Sequence, residues 1–189
     1  MSEPRDEMEC DRKGAVFSVL LVAVSLVVPV SVYYIGNGIG AGVAFPLFRY
    51  QQTYLGPSLI TLVRDVDLVT SGAITGRSAL VPFFWLGGVL LCCVALVFAC
   101  HHVRKHSGSS RRYAGISLIA AGLAYLGGTI AQYGFSFAGS SGFAIPIGAL
   151  FMCVAGWFIV AGYPGICGYK ERDEGLAEDD PLPDYFGEE

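Results

Sequence analysis

The fold class this sequence predicts is an all-α integral membrane protein: a four-helix transmembrane bundle, up-and-down, with a long first extracytoplasmic loop and a disordered acidic C-terminal tail. Three observations predict it. The 189 residues are 53% hydrophobic and only 15% charged, with a mean hydropathy of +0.55, a balance rare in a water-soluble domain of this size. Four stretches, about 14–36, 79–100, 114–133 and 143–163, contain no Asp, Glu, Lys, Arg or His. Each has roughly the 20 residues a helix needs to cross about 30 Å of hydrocarbon. Aromatic residues then mark the ends of these stretches, where amphipathic rings prefer to sit: Tyr33 and Tyr34, Trp85, Tyr113 and Tyr133, and Tyr163. The chain accordingly divides into a membrane domain over 1–163, with an outer loop at 37–78, and an acidic cytoplasmic tail over 164–189.

The first span follows a leader of mixed charge and is longer than the apolar core of a signal peptide, which runs about 7 to 15 residues, so it is expected to be a retained anchor. Pro29 falls inside it and predicts a kink, because it removes a helical hydrogen bond. Pro82 and Pro146 fall in the first turns of the second and fourth spans, where a missing N–H costs little, and Pro164 stops the last one.

The outer loop divides at Gly56-Pro57. Its first half, "VAFPLFRYQQTYLG", is aromatic, and Phe48, Arg49, Tyr50 and Tyr54 are its candidates for recognition of a ligand or protein. In the second half Leu59, Leu62, Val63, Val66 and Val69 recur at helical spacing between Ser58, a candidate N-cap, and Gly72, a candidate C-cap. An amphipathic helix is expected there, lying on the membrane or capping the bundle, with Arg64, Asp65 and Asp67 off its apolar stripe. The β-branched content also permits a strand.

Lys and Arg fix the expected orientation. The leader 1–13 holds three, the loop 101–112 four and the tail two, against three in the outer loop and none near Ser136. Short loops on the cytoplasmic side are enriched in these residues, so both termini are expected on the cytoplasmic side of the cell or plasma membrane. The tail carries nine acidic residues against two basic ones and two interrupting prolines, a composition that stays solvated.

The stretch "CHHVRKHSGSSRR", Cys100 to Arg112, admits a sharper interpretation. His102 and His106 are one helical turn apart, and with Cys100 they form a candidate zinc or copper site. Arg104 and Lys105 would repel a cation, and a basic inner rim that attracts anionic headgroups explains the stretch without a ligand. No metal or other cofactor is therefore expected. All six cysteines fall inside spans or at the inner face, which predicts free thiols. "GNGIGAG", Gly36 to Gly42, resembles a phosphate-cradling loop but lacks both the lysine and the βα unit such a loop needs.

In the third span Ala120, Ala124 and Gly128 form a small-xxx-small row that allows close helix packing within the chain or against a partner. No ionisable group lies within a span, which disfavours ion-coupled transport, and no carboxylate pair, Ser–His pair or HExxH motif sits at membrane depth. The layout of four spans, a long first outer loop and a short second one resembles that of claudin-like tetraspan proteins. Those chains carry a tryptophan and a cysteine pair in the first outer loop, whereas residues 37–78 contain neither Trp nor Cys, so the resemblance is one of layout alone.

The expected function is that of a non-enzymatic membrane protein acting by association, an accessory or scaffold subunit. Its partners are the lipid bilayer and either another membrane protein or further copies of the chain, with no nucleic acid. The alternatives are a passive channel or transporter component formed by an oligomer, and metal or redox sensing at the inner His/Cys cluster.

Overall fold

Pro29 decides how the first apolar run folds. A proline donates no backbone N–H and disfavours helical geometry in the residue before it. In the computed structural model, which describes residues 4–105, 108–139 and 142–162, helix α1 (Pro4–Val27) accordingly stops short of Pro29. The chain then turns into strand β1 (Ser31–Ile35), whose side chains alternate between buried Ser31 and Tyr33 and exposed Val32 and Tyr34. The run expected to be one kinked span over 14–36 is thus a helix followed by a strand.

The outer loop supplies three more strands, β2 (Gly40–Ala44), β3 (Phe48–Thr53) and β4 (Gly56–Thr61), paired antiparallel in sequence order. Farther along the chain β5 (Ala138–Gly139) and β6 (Gly142–Ile145) follow, and β6 pairs with β1. One six-stranded sheet results, in the order β4-β3-β2-β1-β6-β5. The second half of the outer loop is part strand and part helix: Ser58 sits within β4 instead of capping a helix, and α2 spans only Leu62–Thr70. Gly72 follows it at φ +74°, a left-handed conformation that suits a residue without Cβ.

After a short 3-10 helix (Gly76–Leu80), the chain forms α3 (Val81–Lys105), α4 (Gly108–Tyr133) and α5 (Ile147–Ala161). The molecule is therefore not an all-α four-helix bundle, since a six-stranded sheet accompanies its helices. Two helical segments, Gly76–Lys105 and Gly108–Tyr133, are long and apolar enough to cross a membrane. Helix α5 has 15 residues, and α1 carries Asp11, Arg12 and Lys13 before its apolar part begins. Apolar runs that suggested longer spans end in strands because their β-branched and aromatic residues pair across the sheet, Val32 with Ile145 and Tyr34 with Phe143. Hydrophobicity alone does not separate a buried helix from a strand.

Helix α4 packs between α3 and α5, and α1 lies against α3 and touches α5. Small residues allow the approach: a Cβ on Gly122 would come within 2.7 Å of the Ala149 carbonyl, and one on Gly115 within 2.7 Å of the Gly156 carbonyl. Cys92, Ala95, Leu118, Ala121, Met152 and Ile159 fill the core between these helices. A second cluster of Tyr33, Tyr133 and Ala144 seats the sheet on the end of α4. The first turn of α5 is closed by the sheet itself, as the N–H groups of Gly148 and Ala149 donate to the Val30 carbonyl at 2.9 and 3.2 Å.

Candidate functional site

Alternation along β3 decides which way Arg49 points. Tyr50, opposite Leu59, faces outward, and Arg49 and Gln51 therefore face the helices. Arg49 meets Asp65 of α2, its Nη2 donating to the Asp65 carboxylate at 2.5 Å. Asp65 is only 2% exposed. Burial pushes the Asp65 carboxyl above the usual carboxylate range, and the Arg49 guanidinium opposes that rise without cancelling it. The Tyr33 phenol, which donates to Gln51 Oε1 at 3.4 Å, is likewise raised by burial.

Arg49 and Tyr33 border a cavity of about 60 Å³ at the junction of sheet and helices. Its sheet side is formed by Val30, Ser31, Tyr33, Ala44 and Arg49. Helix α3 contributes Val81 and Trp85, whose indole N–H donates to the Phe45 carbonyl at 3.1 Å and so ties the helix to the β2–β3 turn. Helix α4 contributes Tyr125, Gly128, Thr129, Gln132 and Tyr133, a helical spacing that puts them on one face. The Thr129 hydroxyl donates to the Tyr125 carbonyl at 3.0 Å. The Tyr125 hydroxyl and Arg49 Nε are buried without a hydrogen-bond partner among the described residues. Chemically the site is a small pocket lined with hydrogen-bond donors, with one guanidinium and, among the described residues, no carboxylate on its wall.

A family profile, that of a domain of unknown function, DUF8050, matches residues 2–164. The chain belongs to this family. The DUF8050 match takes in the whole sheet, all five helices and the cavity between them. No curated protein matches the chain.

The residues singled out by sequence fall in several places. Of the outer-loop set, Tyr50 and Tyr54 are exposed, Tyr54 at the β3–β4 turn. Phe48 is half-buried and stacks on Phe45 at 4.8 Å between centroids, while Arg49 lines the interior cavity. Ala120 and Ala124 are half-buried, and Gly128 packs within the chain, where a Cβ would approach Phe84 Cβ to 3.3 Å. Cys100 is exposed whereas His102 is buried, so α3 separates the two; His106 lies outside the described residues, as does the tail. His101 Nδ1 is 2.8 Å from Ser110 Oγ. Among the described residues no group of three His, Cys, Asp or Glu is placed to hold a metal ion. Cys92, Cys93, Cys100 and Cys153 are free thiols. In the glycine-rich stretch, a Cβ on Gly40 would collide with the Gln52 carbonyl, so that glycine serves strand pairing.

Asp65, Tyr33, Trp85, Tyr125 and Gln132 are the site residues that sequence reasoning missed. Asp65 had a signal: three residues after Leu62 and four before Val69, it borders the apolar stripe instead of opposing it. Trp85 and Tyr33 look like interface aromatics in sequence, and only the sheet turns them inward.

Proposed function

We propose that this chain is a membrane-inserted, non-enzymatic association protein, an accessory or scaffold subunit that engages another integral membrane protein through the outer face of its sheet. The observation that carries this is an apolar row straight across five strands. Leu59, Tyr50, Val43, Val32 and Ile145 are successive register partners. Leu59 is 57% exposed, Ile145 51% and Val32 38%. Beside the row, Tyr34 stacks on Phe143 at 5.6 Å, both of them exposed. A sheet with one face packed on a core normally turns polar residues outward, and an apolar outer face marks an interaction surface.

The kind of partner follows from what the row adjoins. The helices next to these strands in the chain also end in exposed apolar residues, Val27 at 73% before β1 and Ile147 at 54% after β6, as a partner in the same bilayer requires. Association is also one way for apolar helices shorter than the hydrocarbon layer, such as α5, to be accommodated. The non-enzymatic part of the proposal rests on the sequence, which holds no recognisable catalytic constellation.

In this proposal α3 and α4 cross the bilayer, the sheet sits on the outer side, and the basic residues Arg104, Lys105, Arg111 and Arg112 mark the inner side. The far end of α5 supports a tail on that same inner side, since a Cβ on Gly162 would come within 2.9 Å of Arg111 Nη2. Native mass spectrometry of the protein gently extracted from its own membranes tests the proposal. A complex with a second membrane protein, lost in Tyr50→Glu/Leu59→Glu, is expected. A monomer, or a complex indifferent to that double substitution, would overturn it; a closed homo-oligomer would instead favour the passive-pore alternative.

A further inference from the structure

We propose that the cavity between the sheet and helices α3 and α4 binds a small monocarboxylate anion of about acetate size. The wall chemistry is one-sided. Among the described residues Arg49 is the only charged side chain lining the cavity, and its Nε is buried without a partner there. The Tyr125 hydroxyl, on a residue only 4% exposed, is also unpartnered there. Buried donors in folded proteins are nearly always satisfied, so two orphaned donors at one cavity point to an acceptor that completes them.

Charge and size narrow the acceptor. Asp65 takes Arg49 Nη2 and lies outside the cavity lining, so it anchors the guanidinium and leaves Nε without a partner. A carboxylate accepts two donors through its two oxygens, as a guanidinium N–H and a phenol O–H require. Since a water occupies roughly 10–15 Å³ on the scale in which this cavity measures about 60 Å³, the space takes about four to six water-sized groups. Acetate has four. Its methyl group would find Val30 and Ala44 on the sheet side and Val81 and Trp85 on α3.

Equilibrium dialysis of the full chain in nanodiscs against radiolabelled acetate, at ionic strength held constant with sodium gluconate, tests the inference. Gluconate carries a carboxylate but is too large for the cavity. The expected result is saturable binding of one acetate per chain, competed by formate, and weakened about fivefold to tenfold by Tyr125→Phe. That substitution removes one hydroxyl and keeps the ring that packs on Gly88. Absence of saturable binding, which would mean that water alone fills the cavity, overturns the inference, and so does a Tyr125→Phe protein that binds acetate as tightly as the parent.

Discussion

Arg49 and Asp65, sixteen residues apart in sequence, join the sheet to α2 by an ion pair of which the acid is almost fully buried. Removing one member of such a pair strands the other, whereas replacing both with apolar residues of similar size is often tolerated. Arg49→Met is therefore expected to destabilise the protein by about 3 kcal/mol, and Arg49→Met/Asp65→Leu to recover most of that loss. Thermal unfolding in detergent checks it, and a double variant no better than the single one would mean that the pair itself provides the stability. The pH response has a definite sign. Because the Asp65 carboxyl is raised above its ordinary value of 3.8, the folded state holds its proton more tightly than the unfolded chain. The associated stability is fully present below the ordinary value and is lost as pH rises through the folded-state value. Relative to Asp65→Asn, whose amide does not ionise, the Tm of the parent protein should thus fall as pH rises above the ordinary carboxylate value; a relative rise would contradict this account.

Adjacent glycines in α3 show how an element is specified by what lies across from it. A Cβ on Gly87 meets nothing within 4 Å, whereas one on Gly88 would approach the Tyr125 ring to 2.6 Å. Gly87→Ala removes backbone freedom at no steric cost and is expected to leave Tm unchanged or to raise stability by up to about 1 kcal/mol. Gly88→Ala should lower it by about 1–3 kcal/mol, the usual cost of overpacking, and should displace Tyr125 from the cavity wall. Paired melting curves of the two variants decide the matter, and equal effects would show that α3 and α4 do not pack this closely. At the same scale, the length of α1 is set by Pro29, and α5 begins where the Val30 carbonyl receives its first N–H groups. Neither helix is bounded by hydrophobicity alone.

For the whole molecule, the sheet and the basic ends of α3 and α4 lie at opposite ends of the helices, so labelling can report which end is outside. In intact cells of a variant without native cysteines, a cysteine at Tyr54 is expected to react with a membrane-impermeant maleimide and one at Ser109 to react only after lysis. The reverse pattern would invert the proposed orientation. The apolar row across the sheet predicts a further separation of effects: Leu59→Glu should abolish association while leaving Tm within about 1 °C, because Leu59 is exposed and contributes little to the fold. A large drop in Tm would instead assign the row a structural role.

The sequence by itself determined the positions of the apolar, charge-free segments, because composition and run length record burial from water; of the four spans it suggested, two are helices long and apolar enough to cross a membrane. It also exposed Tyr50 and Tyr54 as outer-loop candidates. Only the tertiary structure decided that Val32 and Ile145 belong to strands, that Arg49 turns inward to Asp65, and that Tyr125, Gln132 and Trp85 share a cavity with it. Strand register and the pairing of residues distant in sequence depend on which backbone groups find partners across space, and no local pattern of hydrophobicity encodes that choice.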